Sequence, residues 1–252
     1  MIKRLIQNTF KAFGYAVARL PSRGDRLSIP EVTPNDVQLM RGVDNFTMTS
    51  MANRWALVQA IRYLNAARIE GDIVECGVWR GGSMILAKLV QAQAPMVRKF
   101  ILFDTFAGMT MPQPIDLSYN PHESALRQYM EGIRATHNEW AYSSLEEVIS
   151  NFRSFGALDE NVFFRPGLIE KTLREPGNVP ERIALLRLDT DWYASTKIEL
   201  EVLYPRLSIG GILMVDDYGH WKGARQAVDE YFADAPQYLM PVDYSCRVLV
   251  KR

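Results

Sequence analysis

Five short runs dense in Ile, Leu, Val and Phe recur along the chain: DIVECG (72–77), FILFDT (100–105), NVFFRPG (161–167), IALLRLDTD (183–191) and GILMVDDY (211–218). Such runs suit strands of a parallel sheet buried on both faces. Between or after them stand segments with helical spacing: SMILAKLVQAQ, SSLEEVISNFRSF, STKIELEVLYPRL and GARQAVDEYFADA. Ser143 or Ser144 caps the second of these toward Glu146 or Glu147, and Gly210 follows the third. Strand alternating with helix is the pattern of a doubly wound α/β sheet. The tail, YLMPVD and CRVLVKR, reads as a further pair of antiparallel strands around a turn.

Upstream of the first strand the chain is helical rather than alternating. FTMTSMANRWALVQAIRYLNAARIEG places Trp55, Leu57, Val58, Ile61 and Leu64 on one side, with Ser50 as N-cap and Gly71 near the end. Residues 36–43 suit a short helix. The first twenty residues put Ile2, Leu5, Ile6, Phe10, Phe13 and Val17 at helical spacing. The polar side of that stretch is only thinly basic, so a helix packed on its own domain or on a second subunit is preferred to one lying on a membrane. The expected organisation is an N-terminal helical segment, 1–70, serving as lid or in assembly, followed by an α/β domain, 71–252. A long insertion, 106–142, carries Pro112, Pro114, Pro121, Tyr119, Tyr129, His137 and Trp140. A connection of that length is more often a functional lid than filler.

Composition narrows the partner. With 29 Lys plus Arg against 29 Asp plus Glu, there is no net field to gather nucleic acid, so a small molecule is expected. The basic start of the chain lacks the apolar core of a signal peptide, and no apolar run reaches the roughly 20 residues of a membrane span. Of the two cysteines, Cys76 lies in a strand-like run where a reduced thiol is expected. These readings point to the cytoplasm.

The chemistry collects at the carboxyl ends of the strands, where ligands bind in such sheets. The first strand runs into ECGVWRGGSM, in which Glu75 precedes Gly77, Gly81 and Gly82. Glycines at a strand-to-helix turn allow close backbone approach and free amides, although GxxxGG is not the dinucleotide fingerprint. The second strand ends in Asp104, placed to accept from ribose hydroxyls of an adenosine cofactor. The fourth and fifth end in DTD and DD: Asp189, Asp191, Asp216 and Asp217. Neighbouring parallel strands lie about 4.8 Å apart and magnesium binds oxygen at about 2.0–2.1 Å, so carboxylates on adjacent ends can share one ion. Capping of the following helices alone would leave the mutual repulsion of the acids unneutralised. His122, His137 and His220 are rival proton acceptors, and Trp192, Tyr193 and Trp221 suit either stacking on a sugar ring or packing against the sheet.

GDIVECGVWRGGSM, LFDTFAGM, LLRLDTDWYAST and GGILMVDDYGHWKGARQAVDEYF resemble, in order and register over about residues 47–235, the TylF/MycF/NovP family of S-adenosylmethionine-dependent O-methyltransferases. That family includes macrocin and mycinamicin sugar methyltransferases. The resemblance implies a class I methyltransferase fold of Rossmann type, S-adenosylmethionine, a divalent metal, usually Mg2+, and transfer to a hydroxyl of a sugar, glycoside or phenol. It places Glu75, Gly77 and Gly81 around the methionine part of the cofactor and Asp104, Thr105 and Phe106 near ribose and adenine. Ser143 falls where the family contacts adenine, and Thr47 and Met48 on an element that closes over the cofactor. Asp189, Asp216 and Asp217 fall on the metal ligands and Asp191 on the general base. TSMANRWALV stands where antibiotic-pathway members carry a basic RRxLDN-like run, a departure that bears on the acceptor. A glycosyltransferase could use DTD as a metal and nucleotide-sugar motif, but it would leave the glycine turn and the Asp216–Asp217 pair without a role. A non-catalytic binder would need no base beside a metal.

Overall fold

The computed structural model describes residues 29–252. By density of internal contacts the chain divides after Pro34. The expected helix over the first twenty residues lies outside the described residues.

The unit from residue 35 onward is a sheet flanked by helices. Helices α1 (Pro34–Gly42) and α2 (Met51–Ala66) precede strand β1 (Asp72–Cys76). There follow α3 (Gly82–Gln91), β2 (Phe100–Asp104), α4 (Ala125–Gly132), α5 (Leu145–Ser154), β3 (Val162–Pro166) and a single turn, α6 (Ile169–Thr172). The chain continues through β4 (Ile183–Leu188), α7 (Tyr193–Leu203), β5 (Leu207–Val215) and α8 (Lys222–Tyr231), and closes with β6 (Met240–Pro241) and β7 (Arg247–Val250). Two caps fall as their sequence suggests: Ser50 accepts from the Asn53 amide, and Ser144, not Ser143, accepts from the Glu147 amide.

The sheet order is β3-β2-β1-β4-β5-β7-β6, with β1 to β5 parallel and β7 antiparallel to β5 and β6. The chain reverses direction of winding between β1 and β4, and their carboxyl ends form the switch point where such sheets take ligands. Val74, Cys76, Leu186, Leu188, Leu213 and Val215 share a core with Leu200 and Leu203 of α7, Val228 of α8 and Phe232 just after it. Because side chains alternate along a strand, Glu75 and Arg187 point to the opposite face, where α2 and α3 pack together.

β5 starts four residues earlier than its apolar run suggests, at Leu207 instead of residue 211. Leu207 pairs with Ile183, but Ile212 pairs with Leu185, so the segment between them bulges around Gly210, whose φ is +78°. Hydrophobicity alone does not mark that segment, since two glycines interrupt it.

Candidate active site

Cross-strand register builds the centre of the site. Glu75 on β1 lies opposite Arg187 on β4, and the two buried side chains meet at 2.9 Å. The same guanidinium reaches Asp189 Oδ2 at 2.5 Å and Asp216 Oδ1 at 3.0 Å. Arg187 is 1% exposed, and the carboxylates around it hold its pKa well above the ordinary arginine value despite burial. The acidic strand ends therefore have a resident counter-charge, which the argument from unneutralised repulsion overlooked. It stands between two leucines in LLRLDTDWY, and a charged residue inside a strand buried on both faces must find a partner.

One cation does not balance the group. Asp189, Asp216 and Asp217 each bring a carboxylate oxygen within 4.8 Å of the others. One oxygen of each is engaged: Asp189 Oδ2 accepts from Arg187, Asp216 Oδ1 accepts from Asn53 Nδ2 and is ion-paired with Arg187, and Asp217 Oδ2 accepts from the Asp191 amide. Burial pushes the carboxyls of Asp189, Asp191 and Asp217 well above the usual range, and neighbouring carboxylates push the same way. A hard oxygen donor set with surplus negative charge fits a divalent ion such as magnesium.

Asp191 is set apart by its backbone. Its φ is +68°, a left-handed conformation that costs a residue with a Cβ about 1 kcal/mol or more. The Trp221 indole N–H donates to its Oδ1 at 2.6 Å. Thr190, between the two acids of DTD, donates from Oγ1 to the buried Glu199 at 2.9 Å.

On the other side of the switch point, the glycine turn is satisfied by the protein itself. Amides of Val78 and Trp79 donate to Asp104 Oδ2 at 2.6 and 3.0 Å, and that of Phe106 to Asp104 Oδ1 at 2.7 Å. Gly77, Gly81 and Gly82 donate to carbonyls of Phe103, Val78 and Phe46. The expected supply of free amides is therefore not met at these positions. The glycines answer to packing: a Cβ on Gly77 would lie 1.9 Å from the Asp189 carbonyl oxygen, and one on Gly81 2.7 Å from the Phe152 ring. Burial raises the Asp104 pKa, against the pull of those amides. Thr105 Oγ1 closes the loop onto the Gly108 carbonyl at 2.8 Å, and Phe106 is buried edge-on to Phe164.

Among the buried polar atoms without a hydrogen-bond partner are Glu75 Oε2 and Ser143 Oγ, together with Nε and Nη2 of Arg187 beside the acids. Such orphans are rare and point to a missing ligand. Burial, opposed by Arg187, brings the Glu75 pKa up to about 8. Thr47 is buried, 3.3 Å from Ser83 at the start of α3, whereas the neighbouring Met48 is 71% exposed.

The insertion is anchored instead of loose. Buried Asp116 accepts from the amide of Tyr193, the first residue of α7, at 2.8 Å, a cap that sequence spacing does not reveal. Leu117 and Tyr119 exchange backbone bonds with Lys222 and His220. Trp140, Trp192 and Trp221 form an edge-to-face cluster in which Trp192 and Trp221 are 3% and 2% exposed. Trp192 and Trp221 are thus packed within the protein, while Tyr193 turns outward to Glu230. His220 pairs with Glu123 and Tyr244, His137 stacks on Tyr142, and His122 is exposed.

A family model described as macrocin O-methyltransferase (TylF) matches residues 38–248. The chain belongs to that family. It is 36% identical over 190 residues to a rhamnosyl-tetracenomycin-C 4'-O-methyltransferase of Streptomyces olivaceus, covering 73% of this chain and 67% of that one. It is 34% identical over 200 residues to the demethyldecarbamoylnovobiocin O-methyltransferase of Streptomyces niveus, covering 78% and 72%. The solved structure of the O-methyltransferase NovP superposes with a TM-score of 0.70 at 31% identity, covering 82% of each chain. This TylF-family chain is an S-adenosylmethionine-dependent O-methyltransferase with the class I Rossmann-like fold. Membership removes the glycosyltransferase reading of DTD. Among the described residues no helix is long and apolar enough to cross a membrane.

Proposed function

We propose that this enzyme methylates a hydroxyl of a sugar, glycoside or phenol in a metal-dependent reaction, with Asp189, Asp216 and Asp217 holding magnesium and Asp191 taking the proton. The observation that carries the reading is the convergence of three carboxylates within 4.8 Å beside a fourth, Asp191, oriented by Trp221. The relatives add the acceptor class, since those named above act on a rhamnosyl-tetracenomycin C and on demethyldecarbamoylnovobiocin.

The cofactor fits the other half of the site. Glu75 Oε2 and Ser143 Oγ are buried and unpaired, suited to the amino group and adenine of S-adenosylmethionine. Asp104 both fixes the turn and stands at the β2 end, where ribose hydroxyls would meet it. Thr47 and Met48 would cover the cofactor. The cofactor supplies a methyl group on a sulfonium. Magnesium, when bound, supplies a positive charge that lowers the pKa of the acceptor hydroxyl. With both bound, Asp191 would accept the proton of the acceptor hydroxyl as its oxygen takes the methyl group that the cofactor would supply. Trp221 keeps Asp191 aimed by donating to Oδ1.

Free, buried Cys76 and Cys246 fit a reducing compartment such as the cytoplasm. The reading is tested by following methyl transfer from labelled cofactor to a panel of sugars, glycosides and phenols. Transfer that stops on chelation and returns with magnesium supports it. Transfer that ignores chelation removes the metal.

A further inference from the structure

Asp216 is gripped from an element that no strand-end argument brings near it. Asn53, 3% exposed in the first turn of α2, donates from Nδ2 to Asp216 Oδ1 at 2.5 Å. Three residues earlier, Ser50 donates to Asp243 Oδ2 at 2.5 Å. Asp243 Oδ1 in turn accepts from the amides of Ser245 and Cys246, and Ser245 Oγ donates to the Asp216 carbonyl at 2.6 Å. The ring Asn53, Ser50, Asp243, Ser245 thus closes on both the side chain and the backbone of Asp216. The same stretch of chain begins at Thr47, whose hydroxyl sits against Ser83 at the α3 start.

We propose that Asn53 is a positioning residue that couples cofactor binding to metal binding. This rests on the functional reading above, in which Thr47 and Met48 meet the cofactor and Asp216 the metal. Only six peptide bonds separate Thr47 from Asn53, and the Ser50 cap ties the Asn53 amide to the start of α2 at 3.1 Å. Contact of the Thr47 end with S-adenosylmethionine would therefore be transmitted to Asn53. Asn53 and Arg187 together hold Oδ1 of Asp216, which directs Oδ2 to the ion. Donors of this kind commonly change metal affinity 10- to 100-fold. Whichever ligand binds first bears the ordering cost, and the second binds more tightly. Linkage makes the effect equal in both directions.

The test is a calorimetric cycle on the whole protein: magnesium titrated with and without S-adenosylhomocysteine, and S-adenosylhomocysteine with and without magnesium. The wild type is expected to bind each about 5-fold or more tightly in the presence of the other. Asn53→Ala is expected to bind S-adenosylhomocysteine alone as the wild type does, while the mutual enhancement falls to about 1-fold. Should Asn53→Ala fold poorly, the isosteric Asn53→Leu is read by the same cycle. Independent binding of the two ligands by the wild type overturns the coupling and leaves the functional reading standing. Enhancement that survives in a folded Asn53 variant overturns the role of Asn53. A wild type that binds no magnesium at all sinks the functional reading and this proposal together.

Discussion

The two halves of the site solve opposite problems. The glycine turn after β1 is closed: its amides are spent on Asp104 and on backbone carbonyls, and its glycines are fitted to Asp189, Phe152 and Phe46. The acidic ends of β4 and β5 are open: one guanidinium faces more carboxylates than it can balance, and Asp191 carries a strained φ. A turn that satisfies itself holds shape whether or not ligand is bound. A surplus of buried negative charge is stable only when something positive arrives, and such strain and mismatch are typical of a functional centre. Substitutions in the turn should accordingly cost stability, and those among the acids should cost activity.

The largest effect expected from this contrast is at Gly77. Gly77→Ala combines a left-handed φ of +85° with a methyl driven into the Asp189 carbonyl, for a loss of about 3–5 kcal/mol in denaturant unfolding. A loss below about 1 kcal/mol would show the turn to be plastic and break the comparison. Next is Trp221→Phe, which keeps an aromatic ring in the tryptophan cluster but removes the donor to Asp191. A roughly tenfold fall in kcat with unchanged magnesium affinity is expected, about 1.4 kcal/mol of lost orientation. An equal fall in metal affinity would place Trp221 with the ligands.

A pH dependence is expected as well. The Glu75 pKa is raised on folding to about 8, so its contribution to stability is fully present below about pH 4.3, the unfolded value, and is lost as pH rises through 8. Metal-free protein should melt at a lower temperature at pH 9 than at pH 6, and Glu75→Gln should flatten that slope. A steeper slope in the variant would contradict the assignment.

The strands and their acidic ends were legible because burial on both faces makes a parallel strand a dense apolar run, and a carboxylate that ends one has few structural uses. The position of Asp189 against Asp216 followed from strand adjacency alone. What lay hidden depends on contacts between segments remote in sequence. Asn53 reaches Asp216 across 163 positions, and Asp116 caps α7 from the irregular stretch of the insertion ahead of α4. The single turn α6 is too short to show a helical repeat. Arg187 is a different case: it was visible in the quoted motif, and its burial between leucines was itself the signal. The tryptophans could not be assigned from sequence, since stacking on a sugar and packing on a sheet favour the same side chain.

The most direct test of the central claim, that the two acids of DTD divide metal binding from proton transfer, is to measure magnesium affinity and methyl-transfer rate together for Asp189→Asn and Asp191→Asn. The account predicts that Asp189→Asn weakens magnesium binding and recovers part of its activity at high metal concentration. It predicts that Asp191→Asn binds magnesium and S-adenosylhomocysteine nearly as the wild type does while its rate falls about 10²–10⁴-fold. Loss of metal from Asp191→Asn with retention in Asp189→Asn would reverse the roles, and full activity in both would contradict the mechanism.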